Sequence, residues 1–312
     1  MRMEIKQFIK RKCPICDEPP SKNIFISTPK RAENLPLKKL ISSWNGFFKE
    51  KIIFSYERCK GCGFAYCPIF FNDKELEELY SQMPANMDEV PMLALEHTQY
   101  EYFKVLKKNS SLKGDFMEIG PDIGLFTKHC AKEGFFKKFW LFEPNKAVKK
   151  KLARVVKNYQ FHIVHDMTNF SAIPNRSIDT LAIIHVMDHL LDPVGILKSL
   201  RIKLKDDAKI LIVTHDESSL LRRLFGWRWP AFCLQHPQIF SRKTTKLLLE
   251  ASGFTVVTQQ KTFNYFKLSF LIKHFFWALG IKIKSVPDFG AYTVGLKLGN
   301  ILTIATPKRK EV

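Results

Sequence analysis

Short apolar runs alternate with segments of helical periodicity through the second half of the chain. Five of these runs end at or beside polar residues. They span residues 115–118, 138–143, 161–166, 180–190 and 209–215. Apolar runs of this length, separated by helical segments, are typical of a parallel sheet that is covered by helices on both faces. The pattern therefore predicts a doubly wound α/β fold over residues 112–312.

The turn after the first run carries the features of a ligand-binding loop. Glu118 ends the run, and Gly120 and Gly124 follow within six residues. Glycines let the backbone approach a ligand closely. The spacing is looser than the dinucleotide motif Gly-x-Gly-x-x-Gly, because Asp122 occupies the place of the middle glycine. Glu143 ends the second run at about the interval, roughly 20 residues, at which an acidic side chain meets a ribose in such folds.

These motifs resemble those of the class I S-adenosylmethionine-dependent methyltransferases. The resemblance covers roughly residues 112–312 and also rests on the sequence His185-Val186-Met187-Asp188-His189-Leu190. It implies a Rossmann-like, mostly parallel, seven-stranded sheet whose last two strands form an antiparallel hairpin. It also implies S-adenosylmethionine as the cofactor. The cofactor-binding residues that it implies are Glu118, Gly120 and Gly124 in the first turn, Glu143 at the ribose and Asp166 beside the adenine.

The sequence departs from the family pattern at two positions. Asp122 replaces the usual small residue in the glycine turn, which puts the tightness of that turn in question. Asp188 stands where many relatives have Glu. Neither departure removes the prediction of a bound cofactor.

Four of the seven cysteines form two Cys-x-x-Cys pairs. These are Cys13 with Cys16, and Cys59 with Cys62. A two-residue spacing lets both thiolates of a pair bind one tetrahedral zinc ion. Four reduced thiols without metal are the alternative, and a redox motif is less favoured because no strand-helix pattern follows either pair. The spacing predicts one structural zinc ion at these four cysteines, with Cys67 as a neighbouring thiol.

Residues 10–80 resemble the zinc-ribbon extension that precedes the catalytic domain in a subset of these methyltransferases. That subset includes sugar C-methyltransferases, many of which serve surface-polysaccharide or secondary-metabolite pathways. The resemblance implies a small zinc-binding domain over residues 1–80. A linker and connecting helix over residues 81–111 then lead to the catalytic domain, residues 112–312, with a lid insertion at about residues 218–240.

Histidines and carboxylates follow the later strands, where ligands of open α/β sheets lie. A methyltransferase has to orient its acceptor and, for a hydroxyl or carbon acid, remove a proton. His185 and His236 are the preferred candidates for that base, and Asp188 is a candidate to orient an imidazole. His189 could equally be a structural histidine at a helix start. Three further residues follow the fifth run: His215, Asp216 and Glu217. For Glu217 the alternative is a role as a helix cap.

Charge is concentrated towards the C-terminus. The chain has a net charge of +20, and residues 221–312 carry 15 basic and 3 acidic side chains. This favours an anionic partner, such as a phosphate-bearing small molecule, a membrane surface or a nucleic acid. Three arginines of the predicted lid are candidates for substrate phosphates: Arg222, Arg223 and Arg228.

A helical projection of residues 266–279 separates two faces. Five apolar residues form the face predicted as core: Leu268, Leu271, Ile272, Phe275 and Leu279. The other face combines Phe266, Phe270 and Trp277 with basic side chains and is predicted to be exposed. Exposed aromatic and basic residues suit a membrane interface or a lipid-linked acceptor, and a homodimer contact is the alternative.

Three functions remain open from the sequence. The favoured one is a zinc-containing methyltransferase of an anionic small molecule, of the nucleotide- or lipid-linked sugar class. The alternative is an RNA methyltransferase that binds nucleic acid through the zinc module and the basic C-terminal region. A non-catalytic zinc-binding interaction protein is the third. Residues 1–12 lack the apolar core of a secretory signal, so we expect a cytoplasmic protein that can contact the inner face of the membrane.

Overall fold

The computed structural model describes residues 8–44, 50–81, 91–281, 283, 285–287, 290 and 292–308. Its strands are β1 (Ile9–Lys10), β2 (Ile24–Ile26), β3 (Tyr56–Arg58), β4 (Ala65–Tyr66), β5 (Ile69–Phe70), β6 (Lys113–Ile119), β7 (Phe135–Phe142), β8 (Gln160–Val164), β9 (Ile178–Ile184), β10 (Leu204–His215), β11 (Gln238–Ile239), β12 (Phe254–Lys261), β13 (Asn264–Lys267), β14 (Thr293–Leu296) and β15 (Asn300–Pro307). Its α-helices are α1 (Leu37–Trp44), α2 (Asp73–Ser81), α3 (Met92–Asn109), α4 (Leu125–Glu133), α5 (Lys149–Val155), α6 (Pro193–Lys203), α7 (Leu220–Phe225), α8 (Arg242–Ala251) and α9 (Leu268–Ala278).

Seven strands form the central sheet, in the order β12-β15-β10-β9-β6-β7-β8. Strands β6 to β10 pair in parallel. Strand β15 runs antiparallel between β10 and β12. This arrangement confirms the predicted doubly wound, mostly parallel sheet with a late antiparallel hairpin.

Successive residues of the central strands pack into two different cores. Phe116 lies in the core on one face of the sheet, and Met117 lies in the core on the other. Leu211 and Ile212 divide in the same way. Both faces of a parallel sheet are buried under helices, so each strand needs apolar residues at consecutive positions. This is the physical reason for the apolar runs in the sequence.

Polar side chains cap the N-termini of two helices of the central domain. Asp192 Oδ1 accepts a hydrogen bond of 2.8 Å from the backbone N–H of Gly195 at the start of α6, and Pro193 occupies the first turn. The hydroxyl of Ser241 accepts from the backbone N–H of Thr244 in a capping box at the start of α8. In the part of the chain that is described, no helix is long and apolar enough to cross a bilayer.

The segment around residues 218–240, predicted as a lid, packs with the part of the chain that carries β1 to β5, which we call the N-terminal module. Strand β11 pairs with β4, and the small sheet has the order β11-β4-β3-β2. Trp229 and Phe232 share a core with Phe54 and Phe71 of the N-terminal region. Most of the predicted linker, residues 82–90, lies outside the described residues.

Helix α9 exposes part of the face that was predicted as core, so that prediction was wrong. Phe275 is 52% exposed and Leu279 is 50% exposed. Phe266 and Phe270, predicted to be exposed, line a cavity instead, and Phe266 lies in β13 rather than in the helix. Helical periodicity shows which residues share a face. It does not show which face meets the rest of the protein.

Candidate active site

One cavity of about 1070 Å³ lies along the carboxyl ends of the central strands. Its lining includes Gly120 after β6, Glu143 after β7, His185 after β9 and His215 at the end of β10. It continues to Phe270 in α9. Typical ligand pockets measure roughly 300–1,000 Å³. The cavity is therefore large enough for a cofactor and a second ligand.

The glycine turn after β6 has the conformation that close approach requires. Gly120 and Gly124 have φ angles of +70° and +81°. Asp122 also takes a positive φ of 49°, a conformation that aspartate adopts more readily than most residues. A Cβ atom at Gly120 would lie 2.5 Å from Val186 Cγ2. The turn thus forms with Asp122 in place of a glycine, and it packs directly on the loop after β9.

Glu143 holds this turn from the next strand. Its carboxylate accepts hydrogen bonds of 2.8 Å from the backbone N–H groups of Asp122 and Asn145. Burial raises the pKa of Glu143, and these two hydrogen bonds act in the opposite direction. A carboxylate has about four lone-pair positions, so two remain for other donors. Glu143 lines the cavity and therefore fits the predicted contact with ribose hydroxyls.

Two further acidic residues of the predicted cofactor site have different surroundings. Glu118 lines the cavity and accepts a hydrogen bond of 2.5 Å from the hydroxyl of Thr127, and burial raises its pKa to about 8. Asp166 is exposed, and hydrogen bonds from Thr168 lower its pKa. Met167, which sequence reasoning missed, lines the cavity beside it. The contact of Asp166 with adenine stays a prediction.

A group of five side chains, which we call the histidine cluster, gathers beyond the ends of β9 and β10. Asp188 Oδ2 accepts hydrogen bonds from His215 Nδ1 at 2.9 Å and from the His215 backbone N–H at 3.2 Å. The ring centroids of His185 and His215 are 4.8 Å apart. The cluster consists of His185, Asp188, His189, His215 and His236.

The fold thus brings together all three predicted catalytic residues, His185, Asp188 and His236. His215 is the partner of Asp188, although sequence reasoning did not rank it among the base candidates. The sequence contained a usable signal for His215. It ends the apolar run that follows the run before His185, and polar residues at the ends of neighbouring parallel strands lie at the same edge of a sheet. The register places Val213 beside Ile184, which brings the two strand ends together.

The predicted base candidates differ in their charge state. Burial, and then the nearby His215, lower the pKa of His185 to about 3, so its ring is neutral at physiological pH. Burial also disfavours charge on His236, but the Cys233 thiolate outweighs it and raises the pKa to about 9. The ring of His236 donates from Nδ1 to the carbonyl oxygen of Ala231 at 2.6 Å. A protonated imidazole in this position suits a structural role better than that of a base.

The far end of the cavity is aromatic and contains one buried amine. Lys51 donates to the carbonyl oxygens of Trp229 at 3.1 Å and Pro230 at 3.4 Å. Its Nζ lies 5.6 Å from the ring centroid of Trp277, and burial lowers its pKa to about 8. Sequence reasoning missed Lys51, because its neighbours come from distant segments.

The three arginines predicted for substrate phosphates are not among the residues that line this cavity. Arg222 donates from Nε to the backbone carbonyl of Glu217 at 2.5 Å, and its guanidinium lies 3.6 Å from the Glu217 carboxylate. Arg223 and Arg228 are exposed. Their binding of phosphate stays a prediction.

The four paired cysteines form one cluster, as their spacing predicted. Their sulfur atoms all lie within 4.8 Å of one another. Cys13 Sγ is 3.5 Å from Cys62 Sγ, and Cys16 Sγ is 3.4 Å from Cys59 Sγ. Zinc–sulfur bonds of 2.3 Å in a tetrahedron place sulfur atoms about 3.8 Å apart, so these positions suit a zinc ion. Cys67 is outside the group.

Comparison with known proteins agrees with this geometry. A family model described as a methyltransferase domain matches residues 94–259, which is more than half of the chain. No curated protein matches the sequence. The fold resembles that of a Bacillus halodurans C-125 protein described as a methyltransferase, with 13% identity, a TM-score of 0.51, and coverage of 67% of this chain and 100% of the other.

A second solved structure with this fold comes from Haloferax volcanii. It is a complex between the Trm112 methyltransferase activator and a protein described as a methyltransferase. The match has 11% identity and a TM-score of 0.51, and it covers 70% of this chain and 94% of the other. With the family match, the sheet order and the glycine turn, the chain belongs to the methyltransferase domain family and is a class I S-adenosylmethionine-dependent methyltransferase.

Proposed function

We propose that this enzyme methylates an amphiphilic, anionic small molecule of the lipid-linked sugar class. The observation that carries the proposal is the continuity of the cavity. It joins the glycine turn at Gly120, the histidine cluster at His185 and His215, and the aromatic end at Phe270. A single continuous space thus offers a place for a cofactor, a place for proton removal and a place for an apolar acceptor.

The cofactor end suits an adenosine-containing molecule. S-adenosylmethionine, when bound, supplies an electrophilic methyl group on a sulfonium. The protein contributes the turn at Gly120 and Gly124, which lets its backbone approach the ligand, and the two unused lone-pair positions of the Glu143 carboxylate, which accept from ribose hydroxyls.

The histidine cluster suits the activation of the acceptor. Methyl transfer is an in-line displacement, so the protein has to orient the acceptor atom and allow its proton to leave. Asp188 supplies a buried negative charge. Burial acts to raise the pKa of its carboxyl, but the charge and hydrogen bond of His215 outweigh that effect, so the pKa lies below its usual value. The rings of His185 and His215 line the same cavity as the glycine turn and the aromatic side chains of α9.

The aromatic end and its outer rim suit a lipid-linked acceptor. Aromatic rings and the buried ammonium of Lys51 offer contacts to an apolar chain and to an anionic group. Outside the cavity, Leu220 and Leu224 of α7 are each 69% exposed, and Phe275 of α9, which lines the cavity, is 52% exposed. The rings of Phe225 and Phe275 lie 6.2 Å apart and join the two helices. An exposed apolar rim beside basic residues favours contact with the anionic inner face of a membrane.

We also propose that the cysteine cluster holds one zinc ion with a structural role. Four thiolates complete a tetrahedral shell and leave no position for water or substrate. The cluster belongs to the N-terminal module, and Cys13 and Cys59 pack in the same core as Met117 of the central sheet. The zinc ion would therefore support the docking of the module rather than the chemistry.

Methyl transfer from isotope-labelled S-adenosylmethionine tests this function. Three acceptor pools are compared: polyprenyl-diphosphate sugars, nucleoside-diphosphate sugars and total RNA. The proposal expects label in the first pool. Label in the second pool alone would show that the aromatic end does not select a lipid. Label in RNA, with binding that weakens steeply as salt rises, would overturn the small-molecule assignment and support the RNA alternative.

A further inference from the structure

We infer that the histidine cluster binds a divalent transition-metal ion through His185, Asp188 and His215. This site is separate from the cysteine cluster. Only the catalytic role of the ion rests on the proposed function. The binding itself follows from the geometry of three side chains and from two buried polar atoms.

The three side chains can share one ion. One ligand atom from each lies within 4.8 Å of the others. His215 Nδ1 and Asp188 Oδ2 are 2.9 Å apart. Two neighbouring ligands at about 2.1 Å from one ion are roughly 3.0 Å apart in an octahedral shell and roughly 3.4 Å apart in a tetrahedral one. The distance that now accommodates a hydrogen bond is therefore close to the spacing of two adjacent metal ligands.

Two buried atoms of this group have no hydrogen-bond partner among the described residues. These are Asp188 Oδ1 and His185 Nδ1. The side chain of Asp188 is fully buried, so water does not compensate its free oxygen. A buried polar atom without a partner costs roughly 1–3 kcal/mol. A cation held by both oxygens of the Asp188 carboxylate and by Nδ1 of His185 and of His215 would satisfy both atoms, because carboxylate oxygens and imidazole nitrogens are metal ligands.

The outer contacts of His185 direct its free nitrogen towards the proposed site. Its Nε2 lies 3.4 Å from the hydroxyl of Tyr102 and 3.3 Å from Nδ2 of Asn300. Tyr102 is itself held by Asn264 at 2.8 Å. In a metal-binding histidine the second nitrogen donates to an oxygen acceptor. The hydroxyl oxygen of Tyr102 can accept from Nε2–H, and the Asn300 side chain would present its amide oxygen to Nε2 when the ion is bound. His185 also has a φ of 53°, and such rare backbone conformations cluster at functional sites.

The donor set indicates the kind of ion. Two imidazoles and one carboxylate suit zinc, iron(II), cobalt(II) or nickel(II) better than magnesium or calcium. Three protein ligands leave at least one coordination position open, and His185 and His215 line the cavity. An acceptor oxygen bound there would lose its proton more easily, since the ion stabilises the resulting negative charge. The proton would pass to solvent, the oxygen lone pair would form the new bond to the methyl carbon, and the S–CH3 bond of the sulfonium would break to leave a neutral thioether.

Metal analysis of the full-length protein tests this inference without any assay of activity. After saturation with cobalt(II) and removal of excess metal, we expect two ions per chain in the wild type. His185→Gln and Asp188→Asn should each retain one ion and keep the intense thiolate-to-cobalt absorption of the cysteine cluster. His162→Gln is the matched control. His162 is not part of the histidine cluster, and its ring stacks on that of Trp140 with the two ring centroids 4.2 Å apart. It should retain two ions.

A wild type that holds only one ion, lost in the Cys59→Ser, Cys62→Ser variant, would overturn the inference. If the cluster variants fail to fold, calorimetric titration of cobalt(II) into wild type with a filled cysteine cluster decides instead. A second binding event supports the site, and its absence refutes it. Calorimetry with S-adenosylmethionine on the same samples separates this result from a failure of the proposed function.

Discussion

Arg58 donates two hydrogen bonds, each 3.0 Å long, to the two carboxylate oxygens of Glu217. Arg58 belongs to β3 of the N-terminal module, and Glu217 follows β10 of the central sheet. Ser219, rather than Glu217, caps α7, since its hydroxyl accepts from the backbone N–H of Arg222. The alternative considered for Glu217, that of a helix cap, is therefore wrong, and its role is to join the two parts of the protein.

Loss of this ion pair should destabilise the protein. Arg58→Ala removes the bidentate partner of the Glu217 carboxylate, which is only 6% exposed, and leaves it only the longer contact of 3.6 Å with Arg222. We expect the free energy of unfolding to fall by roughly 1–3 kcal/mol, less than for a fully buried pair because the Arg58 side chain is 37% exposed. Denaturant unfolding measures it. Lys12→Ala, which breaks the exposed pair with Asp17, is the control, and an equal effect of both substitutions would contradict this role.

The buried carboxyl of Glu118 should make stability depend on pH. Its pKa is about 8 in the folded protein and near 4.5 without the burial. Between these values the folded state binds more protons than the unfolded state, so stability falls as pH rises, by up to about 1.4 kcal/mol per pH unit. Glu118→Gln mimics the protonated form and should remove this slope. Unfolding of cofactor-free protein from pH 5 to 8 measures it, and an unchanged slope in the variant would exclude Glu118 as the cause.

Removal of the Glu143 carboxylate should weaken cofactor binding. Glu143→Ala deletes the acceptor for ribose hydroxyls and the partner of two backbone N–H groups of the loops around it. A loss of roughly 1–3 kcal/mol corresponds to about 5- to 150-fold in Kd for S-adenosylmethionine. Calorimetry provides the value, with exposed Asp206→Ala as the matched control. Wild-type affinity in Glu143→Ala would refute the ribose contact.

The cysteine cluster should lose its metal when one pair is replaced. In Cys59→Ser, Cys62→Ser only two thiolates remain, which cannot complete a tetrahedral sulfur shell. Thiolate-to-cobalt absorption should disappear, and thermal stability should fall because structural zinc contributes to folding. Cys67→Ser is the control, since Cys67 lies outside the cluster. Full retention of the metal by the double variant would rule out this set of ligands.

Two aromatic residues of α9 should affect different steps. Trp277 lines the cavity, so Trp277→Ala should raise the KM for a lipid-linked acceptor about tenfold while the Kd for S-adenosylmethionine is unchanged. Phe275 also lines the cavity but is 52% exposed, so Phe275→Ala should in addition weaken sedimentation with anionic vesicles. If both variants bind vesicles and acceptor like the wild type, the proposed membrane contact and acceptor end would be wrong.

Much of the fold and part of the site could be predicted from the sequence because the causes are local. Apolar runs report strands whose two faces are both buried, as Phe116 and Met117 show. Asp192 and Ser241 mark helix starts because their side chains bond the nearby backbone. The pairing of Cys13 with Cys16, and of Cys59 with Cys62, follows from spacing alone. The turn around Gly120 is likewise a short-range feature.

Only the tertiary structure decided which distant residues meet. Asp188 and His215 are 27 positions apart, and they bond because β9 and β10 lie side by side with their ends in register. Phe270 and Trp277 of α9 line the same cavity as Lys51 of the N-terminal region, although these residues are far apart along the chain. Arg58 and Glu217 are 159 positions apart, and they meet only because the N-terminal module packs against the end of β10. Such contacts depend on strand order and on packing between distant segments, and periodicity or spacing along the chain encodes neither of them.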